Sequence, residues 1–469
     1  MTGDRRERTL SALMLGVASG AILVPLNSTM LAVALPGIMD EFGLGANEVS
    51  SVVTLYLGAV AVALPVSGSL GDRFGHRLTF IAGVLGFGAA SLLAAISTSF
   101  AVLELARVLQ AVSGAFVSTA SASIIREIAP AGRRGEAFGL FDLLVSVSAA
   151  VGPFVGGLLV GAFGWRSMFY LAVPIAVGAA AAVAVLLPAR GRRDAHVPVR
   201  SLDIPGLVVL AALIVAFLVA LRAGTTDLRI GATVATLLLL PLFVAVELRT
   251  DHPAVDPRLF RSRSFSAAVA GVFGATVVLH GVFLLVPLLV ERLMGATATA
   301  SGIVLLGLAG VSAIVAPYGG RVSDRVGRRR PAVLGSMVMT AGLAGLAIAT
   351  ATGPGLAVGG LLVLATVLLG VVGLGLGLSG SPRQAAAFES VGGDRVGMAA
   401  GTYFTGRYLG GVVGASLAGA VLGGTVTAAG MTQGFVLLTM VGIAVAAVSL
   451  GLPGRAATAS VRAGAASAS

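Results

Sequence analysis

The chain has no cysteine and no lysine, and only one tryptophan, Trp165, and four histidines in 469 residues. The missing thiols exclude disulfides and cysteine-ligated metals. Four scattered histidines are a poor basis for any other metal site. Charge is scarce as well: 11% of residues are charged, where a soluble domain carries roughly 25%. No P-loop, zinc-binding spacing or nucleophile signature is present. The glycine-rich run at 370–380 could pass for a phosphate cradle, but it lies inside an apolar stretch, where small residues let helices approach. ATP-driven work by this chain alone, enzymatic chemistry and a bound cofactor are therefore not expected.

What the chain has in quantity is apolar sequence: 57% of residues are hydrophobic and the mean hydropathy is +1.01. A bilayer core takes about 20 apolar residues per helix. About fourteen runs of that size follow one another. The first, at 10–36, is longer than the ~7–15 residues of a signal-peptide core, so it is read as a retained helix. The seventh and eighth, at 204–222 and 230–248, are short, and the twelfth is read at 355–380. The expected fold class is an all-α integral membrane protein of about 14 transmembrane helices.

The net charge is +11 and all 31 basic residues are arginine. Such an excess could serve nucleic acid or a lipid surface. Its distribution decides. With the N-terminus in the cytoplasm and the spans alternating, cytoplasmic segments hold 25 arginines. The outer loops hold four: Arg166, Arg222, Arg229 and Arg292. That asymmetry follows the positive-inside rule. It places both termini in the cytoplasm and points the charge at anionic lipid, with no nucleic-acid partner. Arg107 and Arg407 fall inside spans.

Two segments repeat. Gly68 to Arg77 and Gly320 to Arg329 both read G-x-[LV]-x-D-R-x-G-[HR]-R. Gly135, Ala137, Gly139, Gly152 and Gly157 share their spacing with Gly397, Ala399, Gly401, Gly414 and Gly419. Both pairs relate span n to span n+8. Two six-helix halves in parallel orientation, with two helices inserted between them, account for that offset. The boundaries are 1–190 for the first half, 191–264 for linkers and inserted helices, and 265–455 for the second half. The tail at 456–469 is Ala/Ser-rich and expected to be disordered.

These residues resemble the major facilitator superfamily over nearly the whole chain, and within it the fourteen-span drug:proton antiporters. The doubled loop motif carries most of the likeness. Arg107-Val108-Leu109-Gln110, Gly152-Pro153-Phe154-Val155-Gly156-Gly157, the run from Leu26 to Pro36, and Pro253 to Phe265 add to it. The resemblance implies a small-molecule exporter of the cell inner membrane that exchanges substrate for protons as a monomer. It also implies that Gly68, Asp72, Arg73, Gly75 and Arg77, with Asp324 and Arg325, gate the cytoplasmic side. Three positions depart from the pattern. Asn27 stands where the antiporters usually have an aspartate, Ala111 where a glycine follows Gln110, and Ser51 where tryptophan is common.

Read from their own chemistry, Asp72 and Asp324 sit on short turns, where a carboxylate can meet the N-terminus of the next helix. A capped topogenic loop is the plainer alternative. Gly152-Pro153 removes one backbone hydrogen bond within a span and gives a conformational hinge or simple packing. Arg107, roughly 9–10 Å below the outer end of its span, needs partners if buried. Asn27 lies at similar depth, and Glu104 one turn away on the same face. Glu104 is expected to pair with Arg107 and to exchange a proton. Asp142 is the second proton candidate. Arg407 is assigned to substrate, a carbonyl or a distant carboxylate, and His280 to packing or proton transfer. Tyr56, Gln110, Tyr403 and Tyr408 are candidate cavity residues. Glu247 and Glu291 lie at helix ends and are expected to be wet. A metabolite or lipid carrier without proton coupling, and a non-transporting sensor or assembly partner, remain alternatives.

Overall fold

In lipid every backbone N–H and C=O must be satisfied within its own segment, so long apolar runs become helices. The computed structural model describes residues 3–128, 134–187, 203–222, 225–250, 253, 255–353, 357–391 and 396–454. The helices of the first bundle are α1 (Gly3–Phe42), the single turn α2 (Ala46–Val49), α3 (Ser51–Phe74), α4 (His76–Ala95), α5 (Phe100–Ile128), α6 (Arg134–Phe163) and α7 (Ser167–Leu186). Next come α8 (Ile204–Arg222) and α9 (Thr226–Arg249). The second bundle comprises α10 (Arg263–Leu288), α11 (Ala298–Val326), α12 (Arg329–Thr352), α13 (Val358–Glu389), α14 (Val396–Leu422) and α15 (Ala428–Ser449). Among the described residues the one β feature is an isolated bridge between Gly327 and Gly454. The tail expected to be disordered and most of the first linker lie outside the described residues.

Among the described residues, twelve helices are long and apolar enough to cross a membrane, where the sequence suggested fourteen. The two left out are α8, whose apolar part is the 17-residue stretch Ile204–Ala220, and α14, whose glycines and Arg407 lower its hydropathy.

Packing repeats with the same eight-span offset as the sequence. In the first bundle α3 packs on α5, α4 on α5 and α7, and α1 on α6 and α7. In the second, α11 packs on α13, α12 on α13 and α15, and α10 on α14 and α15. The bundles meet along three seams, α6 with α11, α3 with α14, and α1 with α10. The inserted α8 and α9 pack on each other, with α8 against α3 and α14.

The repeated loop motif is positioned differently from the sequence reading. Asp72 and Asp324 lie within the last turns of α3 and α11, not on the turns that follow. The turns are made three residues later by Gly75 (φ 88°) and Gly327 (φ 87°), a backbone region open mainly to glycine.

Candidate functional site

The first bundle is tied together inside its core by one side chain. Arg107 of α5 is 1% exposed. A buried guanidinium has five donors to place. Its Nη1 donates to Asn27 Oδ1 of α1 and to Gln110 Oε1, each at 2.8 Å, and its Nε to the Val52 carbonyl of α3 at 3.3 Å. The Tyr56 ring covers it, 4.1 Å from Cζ to the centroid. Gln110 passes the network on, donating to Ser91 Oγ of α4 at 2.7 Å, and Ser91 donates to the Phe87 carbonyl. Four helices thus share one polar layer. The expected Glu104–Arg107 pair is not formed. Among the described residues no carboxylate lies within 4 Å of Arg107, and Glu104 is half-buried one turn away. Asn27 takes the acceptor place as a neutral amide.

The layer continues across the α3–α14 seam. Tyr56 of α3 lies near Tyr408 of α14, and Arg407 lies near His280, Tyr403 and Tyr408. His280 of α10 has its Nδ1 3.1 Å from the Thr276 carbonyl. That contact makes Nδ1 the protonated nitrogen of the neutral ring and leaves Nε2 as an acceptor. Thr276 also donates to the Arg407 carbonyl at 2.8 Å. One turn beyond Arg407 on the same face, a Cβ at Gly411 would meet Leu57 of α3 at 2.8 Å and His280 at 3.0 Å. Arg407 therefore faces the cleft between the bundles. Its side chain is exposed and makes no hydrogen bond or ion pair with a described residue. The side chain of Asp142 lies outside the described residues. A separate apolar cavity of about 180 Å³, lined by Leu289, Met294, Leu346, Leu361 and Leu368, lies away from this layer.

Among the described residues, the hydrogen bonds that join the bundles lie at the end whose loops are poor in arginine. Arg292 donates to the Pro36 carbonyl at 2.9 Å and to Asp40 at 2.5 Å. Thr299 donates to the Gly157 carbonyl at 3.1 Å, and the Asn47 amide to the Gly423 carbonyl at 3.4 Å. A Cβ on Gly302 of α11 would come 2.5 Å from the Pro153 carbonyl and 3.2 Å from Gly157 Cα of α6. Gly152 packs equally closely on Thr29 of α1. So Gly152-Pro153 lies where α6 meets both α1 and α11. Within the first bundle, Glu41 accepts from Trp165 at 2.8 Å and pairs with Arg166, bracing the same end. At the arginine-rich end no hydrogen bond joins the bundles among the described residues. There Leu140 and Leu143 of α6 and Tyr318 and Val322 of α11 are exposed.

At that open end the two motif copies make related contacts. His76 Nε2 is 3.8 Å from Glu127 at the end of α5. Its counterpart Arg328 binds Glu389 at the end of α13 through Nε at 3.0 Å and Nη2 at 2.5 Å, and Ser323 and Asp324 at 2.9 Å each. Glu389 and Asp324 hold the Arg328 pKa above its ordinary value. Arg77 caps α7, donating to the Ala184 and Leu187 carbonyls at 2.7 Å. Arg73 and Arg325 are exposed, Arg73 lying 5.6 Å over the Phe74 ring. A Cβ on Gly68 would meet nothing within 4 Å among the described residues. The Asp72 side chain lies outside the described residues. Glu389→Gln is expected to lower the melting temperature of the detergent-solubilised protein. It leaves buried Arg328 short of its bidentate partner, a loss of about 1–3 kcal/mol. Asp324→Asn should cost less, because that carboxylate is 54% exposed.

Three charged positions depart from the sequence reading. Arg383, counted there with the cytoplasmic loops, lies inside α13 at 1% exposure. It donates to Ser336 Oγ at 2.6 Å and packs on Gly271. Glu247 is fully buried rather than wet, crowding Gly206 together with Asp203. Glu291, in a π-helical turn after α10, is half-buried and accepts from Ser301 at 2.8 Å.

Comparison with known proteins agrees with this architecture. Residues 17–415 match the Major Facilitator Superfamily. The MFS-type transporter YvkA of Bacillus subtilis is 32% identical over 86% of this chain and 88% of its own length. The tetracenomycin C resistance and export protein of Streptomyces glaucescens is 36% identical over 71% of this chain, which spans 62% of it. The multidrug resistance protein Stp of Mycobacterium tuberculosis is 29% identical over 87% of this chain and 75% of its own length. The solved D-xylose–proton symporter superposes with a TM-score of 0.66 over 94% of this chain and 98% of its own, at 14% identity. Two like-packed helix bundles, joined at one end around a shared polar layer, belong with these matches: the chain is a multi-pass membrane transporter of the major facilitator superfamily.

Proposed function

We propose that this transporter exports hydrophobic or amphiphilic small molecules from the cytoplasm in exchange for protons, by alternating access. The observation that carries this reading is the one-ended seam. Among the described residues, the bundles are hydrogen-bonded where the loops are poor in arginine, while side chains of α6 and α11 stand exposed where they are rich in it. By the positive-inside rule, that is a state closed to the outside and open to the cytoplasm, the loading state of an exporter. The export relatives support the direction. In this reading all fourteen long helices span the inner membrane of a monomer and both termini are cytoplasmic. Residues 1–190 and 265–455 are the rocking halves and 191–264 the insertion. Asp142 and Glu104 are the carboxylates proposed to carry protons. Asp72 and Asp324, with their neighbouring arginines, hold the cytoplasmic side when it closes.

The test is accumulation of an amphiphilic dye in inside-out vesicles with an acid interior. Uptake should rise with the gradient and collapse with an uncoupler. Either Asp142→Asn or Glu104→Gln should blunt the response. If both respond fully, neither carries the proton. A second reading, a carrier without proton coupling, is favoured by the neutral Asn27 beside Arg107. It gains if the unmutated protein accumulates dye equally without a gradient.

Topology is checked by single cysteines in this cysteine-free chain. Thr225→Cys, between α8 and α9, and Thr425→Cys, between α14 and α15, should label from outside intact cells. Arg261→Cys should label only after permeabilisation. Reversed labelling at Thr225 would mean that α8 does not cross.

A further inference from the structure

Among the described residues the polar layer carries two formal charges, Arg107 and Arg407, and both are positive. Arg107 has its Nε and Nη1 donors engaged by neutral groups, the Val52 carbonyl, Asn27 and Gln110. Arg407 has no side-chain partner among the described residues. Its carbonyl and helix are nonetheless held firmly, by the Thr276 hydroxyl and by the close α10–α14 packing at Gly406 and Gly410. A cation in the middle of a transmembrane helix is costly unless something neutralises it. Near it stand a histidine with a free acceptor nitrogen and two tyrosines, Tyr408 and Tyr403. The α3–α14 seam beside it is closed above by Leu57 and flanked by apolar residues of α8, Leu210 and Ile214. Asp142 stands on α6, which packs on α1 and α11 at a different seam.

We propose that the transporter takes its substrate as an anion: an amphiphile with an apolar, preferably aromatic body and one deprotonated carboxyl, sulfo or phenol group, held by the Arg407 guanidinium in the inter-bundle cleft. The unpaired cation facing the cleft is the observation that carries this. A charge-assisted contact from arginine to such a group is among the stronger hydrogen bonds available. The electrostatic field of Arg107 behind Tyr56 adds to the preference, and Nε2 of His280 is placed to accept from a substrate hydroxyl. A cationic amphiphile would instead add a third positive charge to a layer with no described carboxylate. The inference deepens the export reading by naming a substrate class, but binding can be measured without any transport.

The experiment is equilibrium binding to the purified full chain in neutral detergent. Three fluorescent probes of similar size are used: the anion 8-anilinonaphthalene-1-sulfonate, the neutral N-phenyl-1-naphthylamine and the cation ethidium. The unmutated protein should bind the anion more tightly than either of the others. In Arg407→Gln the ratio of anion to neutral affinity should fall about tenfold or more, the scale of a lost charge-assisted contact. Arg407→Lys should recover part of it, with membrane yield confirming that each variant is folded. Equal affinity for the three probes, tighter binding of the cation, or an unchanged ratio in Arg407→Gln each overturns the proposal. If the anion binds through Arg407 but no probe is moved in acid-loaded vesicles, the substrate class stands and the export reading fails.

Discussion

Arg107→Ala is expected to abolish transport, with a loss of about 100-fold or more, while the protein still reaches the membrane. The substitution strands Asn27 Oδ1 and Gln110 Oε1 in a site that is closed to water. Each stranded group costs about 1–3 kcal/mol. Roughly 3 kcal/mol lost from the transport barrier corresponds to about 100-fold in rate. Arg107→Lys should not restore function. An ammonium is a point charge without the planar fork, and the present geometry needs donors aimed at α1, α3 and the next turn of α5 together. The measurement is initial-rate dye efflux normalised to membrane-resident protein. A variant with more than a third of normal activity would show that this network is a brace and not part of the transport cycle.

Gly302→Val is expected to be nearly as severe by a different route. A Cβ at that position overlaps the Pro153 carbonyl of the opposite bundle, so α6 and α11 must separate where they now touch. Overpacking of this kind costs typically 1–3 kcal/mol, but only in the conformation with this seam closed. The population should therefore shift roughly 10- to 100-fold toward the state in which this seam is open, the outward-open state of the proposed cycle. Transport should fall accordingly, and a cysteine at Thr299 should label faster from outside. The control is Gly359→Val on α13, where a Cβ meets nothing within 4 Å. Slower labelling at Thr299 would mean that the two helices do not part there.

Much of this was legible in the sequence because lipid imposes one rule on every segment. Apolar length marks the helices. The eight-span repeat was legible from two motifs, since a close glycine packing pattern needs the same spacing in each copy. Helix ends were less so. The apolar run of α13 stops near Gly380, but the helix continues through Pro382 to Glu389. That extension, packed on Gly271 of α10, buries Arg383. Likewise the repeated motif reads as a turn throughout, yet its aspartates complete the preceding helices, because only the left-handed glycines Gly75 and Gly327 turn the chain.

The Arg107 site shows where pattern reading gives out. The i−3 spacing puts Glu104 on the same helix face, which is correct as geometry. What sequence spacing cannot show is that α1 and α3 bring Asn27 and Val52 to the guanidinium and satisfy it there. The same limit applies to Glu247. A carboxylate near a helix end is ordinarily wet, but α8 packs its Gly206 over this one. In each case a contact from a distant helix overrides the local expectation.

The central claim is that the two bundles rock, so that one end closes as the other opens. Distances between paired spin labels measure this directly. One pair is placed at Phe163 and Leu293, exposed beside the closed seam, and the other at Leu140 and Val322, exposed at the parted end. In liposomes, shifting the pH should give each pair two distance populations that exchange in opposite directions, the first pair lengthening as the second shortens. Two fixed distances, or two that lengthen together, would contradict the account.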